Sequence, residues 1–192
     1  MEPRDTMPGA LVGRTVAALV ANGFEQVELT EPRAALEAQG ATVHVVSPEP
    51  TEVRGWNRTE WGERLRVDRR LAEARAADYD ALLLPGGVMN PDRLRTNPAA
   101  LAWVRHFFEA GKVIAVICHG PWTLIDAGVV RGLTMTSYPS IRTDLVNAGA
   151  HWVDAEVVVD HHVVSSRRPA DLPAFMRTFV DALAAQRPAG DR

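Results

Sequence analysis

Short apolar runs rich in β-branched residues alternate with helical segments along most of the 192-residue chain. We interpret the runs as buried strands, because each is short and the first three end at Pro or Asn-Gly. They lie at 15–20, 42–47, 81–84, 113–117, 133–136, 156–160 and 163–166. Strands separated by helices favour an open, doubly wound α/β sheet, mostly parallel with helices on both faces, and such sheets bind ligands at the carboxyl ends of their strands.

Helical spacing is predicted in the intervening segments, which lie at 25–39, 91–95, 98–110, 122–127, 140–147 and 169–185. Pro32 is expected to kink or interrupt the first of them near its middle. The segment 49–70 is irregular, and its mixture of Trp, Gly and charged residues favours a hairpin or an excursion from the sheet. We predict a single domain at 13–186, with tails at 1–12 and 187–192.

Composition and charge exclude several classes of protein. The chain is 46% hydrophobic and 23% charged, with a net charge of −3 and no dense run of Lys and Arg, so specific nucleic-acid binding is not expected. No stretch approaches the roughly 20 apolar residues that span a bilayer, and no secretory signal begins the chain. With a single cysteine, an intramolecular disulfide is impossible, which fits a reducing, cytoplasmic location.

That cysteine, Cys118, directly follows the strand-like run 113–117 and precedes His119-Gly120-Pro121. Gly120 permits a sharp turn and Pro121 suits the first position of a helix, so the segment has the outline of a nucleophile elbow. A thiol there faces backbone N–H groups and the positive end of a helix dipole, and both favour the thiolate. The alternative is a buried structural cysteine, but the position at a strand end favours chemistry.

Three further features can complete a site around the thiol. His119 can act as a base or can contribute only its backbone N–H, because adjacent side chains usually point apart. Gly86-Gly87 follows another strand and can bring N–H groups to a substrate oxygen. Glu25, just beyond the first strand, can place a carboxyl group in the same crevice or can be a solvated acid in the first helical turn.

No cofactor is indicated. The His161-His162 pair lies at a predicted hairpin tip without a third ligand at metal-binding spacing, so a surface turn is favoured over a zinc site. The chain also lacks a Gly-x-Gly-x-x-Gly fingerprint or a phosphate-binding loop, so we expect neither a nucleotide nor a metal.

Several motifs in the same order resemble the ThiJ/PfpI superfamily, and the similarity is closest to its PfpI branch of intracellular proteases and stress-associated deglycases. These motifs are Gly23-Phe24-Glu25-Gln26-Val27-Glu28-Leu29, Leu84-Pro85-Gly86-Gly87, Ile117-Cys118-His119-Gly120-Pro121, Thr136-Ser137-Tyr138-Pro139, Asn147-Ala148-Gly149-Ala150, Val157-Val158-Val159-Asp160 and Ser165-Ser166-Arg167-Arg168-Pro169-Ala170-Asp171-Leu172. The resemblance therefore extends over nearly the whole domain.

The resemblance implies a flavodoxin-like fold, related to class I glutamine amidotransferases, with Cys118 as the nucleophile in a strained elbow. It implies that Glu25 is the protonated acid that hydrogen-bonds the cysteine sulfur. Gly87 and His119 match the positions whose backbone N–H groups form the oxyanion hole. Tyr138 matches a tyrosine near the family's active site and is expected to contact substrate.

The resemblance also implies a homodimer or higher oligomer, because in the PfpI branch a carboxylate from a neighbouring subunit meets the histidine. Asp92 stands at the matching position. This chain departs from the protease-like pattern there, since Asp92 replaces a longer Glu and an extra residue precedes it. The segment from Trp56 to Trp61 also looks longer than in compact archaeal members, so the rim of the site is expected to differ.

These observations leave three functions open. The first is a cofactor-independent cysteine hydrolase of stress defence acting on small reactive carbonyls or glycated side chains, with deglycase or glutathione-independent glyoxalase activity. The second is an oligomeric cysteine peptidase that uses Cys118, His119 and Asp92. The third is a non-enzymatic redox sensor or chaperone, in which Cys118 is oxidised to a sulfinic acid held by Glu25.

Overall fold

A computed structural model describes residues 9–186, and its centre is a seven-stranded sheet in the order β10-β11-β7-β6-β1-β2-β5. The strands are β1 (Thr15–Leu19), β2 (Thr42–Ser47), β3 (Glu52–Asn57), β4 (Glu60–Arg66), β5 (Arg69–Arg70), β6 (Ala81–Leu84), β7 (Val113–Ile117), β8 (Thr134–Met135), β9 (His151–Trp152), β10 (Val157–Asp160) and β11 (Val163–Ser166). Strands β3 and β4 form a separate antiparallel hairpin, and β8 pairs with β9 in a small parallel sheet.

The central strands run parallel, and only the edge strand β10 is antiparallel within the seven-stranded sheet. Every residue of β6 and β7 is buried, because helices cover both faces of a parallel sheet. The order β2-β1-β6-β7-β11 is the flavodoxin-like order. The predicted fold class, a flavodoxin-like doubly wound sheet, is therefore confirmed.

Between residues 9 and 186, six α-helices surround the sheet: α1 (Val27–Ala38), α2 (Met89–Leu94), α3 (Pro98–Glu109), α4 (Pro121–Ala127), α5 (Arg142–Asn147) and α6 (Leu172–Ala185). Alternate residues of β1 enter different cores, with Ala18 in one and Leu19 in the other. The first core contains α1 and α6, and the second contains α3 and α4. None of the helices within residues 9–186 is both long and apolar enough to cross a membrane.

Helix α1 runs without a break through Pro32, so the predicted interruption is wrong. Pro32 lacks the N–H that would bond to the carbonyl of Glu28, four residues earlier. It is buried on the same face as Leu29 and Leu36, and this packing offsets the missing bond because most helical stability in proteins comes from tertiary burial.

The irregular segment 49–70 contains the predicted hairpin. Trp56 on β3 pairs with Trp61 on β4, and their rings meet edge to face with centroids 5.4 Å apart. Trp56 also forms a parallel bridge with Glu25, just before α1. The hairpin therefore lies beside the carboxyl end of β1.

The predicted N-terminal tail of residues 1–12 is too long. Leu11 is fully buried, and its N–H donates to the carbonyl of Gln39 at 2.9 Å. Packed structure thus begins before Gly13, because an apolar side chain there completes the core beneath α1. Residues 1–8 and the predicted C-terminal tail, 187–192, lie outside the described residues.

Candidate active site

Cys118 occupies a strained turn at the carboxyl end of β7. Its φ of 63° lies in the left-handed region, which is uncommon for a residue with a side chain. The N–H of Cys118 donates to the Ser166 carbonyl at 3.1 Å, and its own carbonyl accepts from the N–H of Tyr138 at 2.9 Å. These bonds on both sides hold the strained backbone in place. The side chain is 7% exposed.

Two glycines make room for this turn. A Cβ on Gly86 would lie 2.6 Å from the Cys118 Cβ and 2.7 Å from Glu28 Oε2. A Cβ on Gly120 would lie 2.7 Å from the carbonyl oxygen of Leu84. Both distances are far below van der Waals contact, so the close approach of β6 to the elbow requires glycine at each position.

Glu28 is the acid beside the sulfur. It is fully buried in the first turn of α1, its Oε2 accepts from the N–H of Gly86 at 2.7 Å, and a side-chain hydrogen bond joins it to Cys118. Its Oε1 is buried without a nitrogen or oxygen partner among residues 9–186, which disfavours the ionised form. Burial above all, with a smaller contribution from nearby Glu25, raises the pKa of Glu28 to about 8. At neutral pH the carboxyl group is mainly protonated and can donate to the sulfur.

The prediction that Glu25 holds this place is wrong. Glu25 is half-buried before α1, and its N–H donates to the Gly86 carbonyl at 3.3 Å. Burial raises its pKa, while a hydrogen bond from the backbone of Arg58 and the charge of that residue lower it. Its carboxyl group thus faces the tip of the hairpin, between β3 and β4, at the rim of the site.

The sequence contained a signal for the correct acid. The buried face of α1 consists of Glu28, Leu29, Pro32 and Leu36, which recur at helical spacing. An acid within an apolar stripe must be buried, and a buried carboxyl group has a perturbed pKa and is a candidate for function. Glu25 lies before this helix begins and is outside the stripe.

The thiol pKa shifts in the opposite direction from the one expected. Burial raises the pKa of Cys118, and the charge of ionised Glu28 raises it further, whereas the backbone N–H groups of Gly87 and His119 lower it. Burial outweighs the favourable dipoles because the sulfur is almost fully enclosed. Protonation of Glu28 removes the repulsion and provides a donor to the sulfur, so the two groups titrate as a coupled pair.

His119 points toward the sulfur, with Nδ1 3.2 Å from Cys118 Sγ. The left-handed turn at Cys118 explains why these adjacent side chains meet, although in most backbone conformations they would diverge. Burial lowers the pKa of His119, so the imidazole is neutral near pH 7 and can accept the thiol proton. Tyr138, which is 40% exposed, stacks on the imidazole with ring centroids 4.8 Å apart.

The remaining predicted site residues are placed as follows. Gly87 has a φ of 74° and directs its N–H to the sulfur, together with that of His119. Asp92 is exposed on α2, and within residues 9–186 its side chain makes no hydrogen bond or ion pair. In the described part of the chain, no group of three or more His, Cys, Asp or Glu side chains could hold a metal ion. His161 Nδ1 lies 2.6 Å from Asp160 Oδ1.

Asn90 supports the site and was not singled out from the sequence. It is fully buried, its Nδ2 donates to the carbonyls of Pro85 and Gly86, and its Oδ1 accepts from the N–H of Ala21 at 2.7 Å. The amide therefore ties the Gly-Gly turn to the end of β1. A polar residue in the first turn of a short helix gives no sequence signal for such a role, since it looks like an ordinary exposed position.

Replacing Glu28 with Gln should change how stability depends on pH. The carboxyl pKa is raised from 4.5 to about 8 on folding, so wild-type stability should fall as pH rises from about 4.5 through 8. The Gln variant has no such proton, so its stability relative to wild type should grow over this range, by on the order of 3 kcal/mol. Urea unfolding at pH 5, 6.5 and 8 measures the difference. Parallel pH profiles for the two proteins would contradict the raised pKa.

Known proteins are similar in sequence to this chain. The sequence model of the DJ-1/PfpI family matches residues 14–182. Deglycase PH1704 from Pyrococcus horikoshii is 48% identical over 165 residues, which cover 86% of this chain and 96% of that protein. YraA from Bacillus subtilis, named as a candidate cysteine protease, is 42% identical over 173 residues, which cover 90% of this chain and 99% of that protein.

Solved structures agree with the sequence relatives. DJ-1beta from Drosophila melanogaster has a TM-score of 0.80 and 28% identity, covering 90% of this chain and 91% of that one. A two-domain protein with DJ-1/ThiJ/PfpI-like and ferritin-like domains from Anabaena variabilis has a TM-score of 0.83 and 32% identity, covering 93% of this chain and 51% of that one. With the elbow, its buried acid and these similarities taken together, the chain belongs to the DJ-1/PfpI family.

Proposed function

We propose that this protein is a cofactor-independent cysteine hydrolase that acts on reactive carbonyls, as a deglycase or a glutathione-independent glyoxalase. The observation that carries the proposal is the convergence of groups on one sulfur. Cys118 is met by the Glu28 carboxyl group, the His119 imidazole and the N–H groups of Gly87 and His119. A nucleophile, proton-transfer groups and donors for an oxyanion are the parts that carbonyl addition needs.

The chemistry on methylglyoxal balances without a cofactor. His119 takes the thiol proton, the Cys118 sulfur adds to the aldehyde carbon, and the carbonyl electrons form an alkoxide that accepts from Gly87 N–H and His119 N–H. The proton returns from the imidazole to give a hemithioacetal. Ionised Glu28 moves a proton from C1 to C2 while His119 moves one between the two oxygens, giving a lactoyl thioester. Water hydrolyses the thioester, so one methylglyoxal and one water yield one lactate and one proton, and the thiol is regenerated.

The pKa of Glu28 suits this role. A group with a pKa of about 8 is partly ionised near neutral pH and can both accept and return a proton. Early glycation adducts are aminocarbinols or hemithioacetals, in which the C–N or C–S bond breaks to release the free side chain and the aldehyde. Addition of the Cys118 sulfur and hydrolysis then act on that aldehyde as on free methylglyoxal. The deglycase name of the Pyrococcus horikoshii relative supports this substrate class.

A cysteine peptidase is the second candidate, and the short distance from Cys118 Sγ to His119 Nδ1, 3.2 Å, supports it. The name of the Bacillus subtilis relative points the same way. In this alternative, exposed Asp92 has to reach His119 of another subunit, so a homodimer or higher oligomer is required. The carbonyl reaction needs only the groups of one chain, and we therefore favour it.

The test is lactate formation from methylglyoxal without glutathione and in buffer free of Tris, which itself traps carbonyls. We expect wild-type protein to form lactate, and Asp92→Ala to form it at an unchanged rate because Asp92 lies outside the proposed chemistry. Cleavage of a fluorogenic peptide is measured in parallel. Peptide cleavage that is lost in Asp92→Ala, with no lactate from either protein, would replace the carbonyl proposal with the peptidase.

A further inference from the structure

Ser140 meets the histidine on the side away from the sulfur. Its Oγ lies 3.0 Å from His119 Nε2, while His119 Nδ1 lies 3.2 Å from Cys118 Sγ. Both ring nitrogens therefore have partners at hydrogen-bond distance within one chain. The three side chains form a line of sulfur, imidazole and hydroxyl.

The segment that carries Ser140 is fixed to the elbow. The N–H of Tyr138 donates to the Cys118 carbonyl at 2.9 Å, and a 3-10 helix, Pro139–Ile141, follows at once. The Tyr138 ring stacks on the His119 imidazole with an interplanar angle of 24°. The Trp122 ring meets the same imidazole edge to face, with ring centroids 5.4 Å apart. Two aromatic contacts and two polar contacts thus define the orientation of the imidazole.

The hydroxyl can accept a hydrogen bond from the form of the imidazole that acts as a base toward the sulfur. A neutral imidazole has one N–H, and only the nitrogen without it can accept a proton. When Ser140 Oγ accepts from Nε2–H, the lone pair of Nδ1 faces the Cys118 sulfur. When the imidazole has taken the thiol proton, both nitrogens donate, and the serine oxygen still accepts from Nε2–H. In catalytic triads an acceptor-only carboxylate holds the histidine in one tautomer, and here the serine oxygen takes the acceptor's place in the Nε2–H form.

We propose that Ser140 is a positioning residue that holds His119 in the Nε2–H tautomer and so directs Nδ1 to the sulfur. It thereby fills, from within the same chain, the place that the family resemblance assigns to a neighbouring subunit's Asp92. The inference deepens the proposed function, in which His119 moves the thiol proton. Because Ser140 and His119 belong to the same chain, the hydroxyl can orient the imidazole without a partner subunit.

The test compares Ser140→Ala with Ser140→Thr, which keeps a hydroxyl, and with Thr143→Ala, which removes an exposed hydroxyl from α5. Two-bond ¹⁵N–¹H couplings report the tautomer of His119, and the signal is assigned by its loss in His119→Gln. The rate of Cys118 alkylation by iodoacetamide, followed against pH, reports proton removal without any carbonyl substrate. The kcat and KM for methylglyoxal are measured on the same proteins.

In wild type we expect the Nε2–H tautomer to dominate, and in Ser140→Ala we expect a larger fraction of the Nδ1–H form. Loss of one neutral hydrogen bond should lower the alkylation rate and kcat roughly three- to tenfold with KM unchanged. Ser140→Thr should restore both rates and Thr143→Ala should change neither. An unchanged tautomer in Ser140→Ala, or an equal loss in Thr143→Ala, would overturn the inference. If no variant turns over methylglyoxal but the tautomer and alkylation respond as stated, the proposed function fails and the role of Ser140 stands.

Discussion

Replacing Cys118 with Ser should abolish lactate formation, with a loss on the order of 10³-fold or more, because a neutral hydroxyl is a far weaker nucleophile than a thiolate. The fold should survive. Serine is nearly the same size, and its hydroxyl can use the N–H donors of Gly87 and His119. Stability should change by no more than about 1 kcal/mol.

The measurement is lactate formed per folded molecule, with circular dichroism and urea unfolding on the same samples. Because Cys118 is the only cysteine in the chain, iodoacetamide should add one label to wild type and none to the variant. Cys118→Ala is the control for a residual contribution from the serine hydroxyl. If Cys118→Ser retains full turnover, the thiol is not the nucleophile, and carbonyl chemistry at this elbow is ruled out.

Gly86→Ala should impair both the site and the fold. The added Cβ would meet Cys118 Cβ at 2.6 Å, Glu28 Oε2 at 2.7 Å and the His119 backbone nitrogen at 2.9 Å. Cys118 Cβ and the His119 nitrogen are fixed by the backbone of the elbow, and Glu28 Oε2 is held by its hydrogen bond from the Gly86 N–H, so the elbow has to move. Overpacking of this kind costs about 2 kcal/mol, and a shift of the reacting groups by a fraction of an ångström to 1 Å lowers turnover on the order of 10²-fold.

Gly128→Ala separates the two effects. Gly128 ends α4 with a φ of 78° and has nothing within 4 Å of its ideal Cβ position, so alanine there is strained without a clash. It should lose about 1 kcal/mol of stability and keep wild-type turnover per folded molecule. Urea unfolding and the lactate assay are run on both variants. Equal turnover in Gly86→Ala and wild type would show that the contact between the Gly-Gly turn and the elbow does not position the reacting groups.

The sheet and the position of Cys118 at its elbow could be predicted because their signals are local. A buried parallel strand such as β7 is a continuous apolar run, and Cys118 follows it directly. The order of secondary structure along the chain then places the carboxyl ends of β1, β6 and β7 side by side on one side of the sheet. Proximity of Gly86 to Cys118 follows from that topology without any knowledge of side-chain positions.

The rest of the site depends on three-dimensional contacts that no local pattern encodes. Glu25 and Glu28 are three residues apart, and the choice between them required knowing that α1 starts at Val27 and which of its faces is buried. The direction in which the pKa of Cys118 shifts depends on how completely the sulfur is buried, and the spacing of residues in the sequence does not reveal this. Ser140 comes 21 residues after His119 in the chain, and the two meet only because the loop after β8 folds back onto the elbow.

Both edges of the seven-stranded sheet are short. One edge strand, β5, has two residues and the other, β10, has four. Edge strands this brief expose few unpaired N–H and C=O groups, which limits the addition of strands from another molecule and the aggregation that such pairing starts. Any association between copies of this chain should therefore involve helices or the β3–β4 hairpin, and the central sheet should end within each subunit.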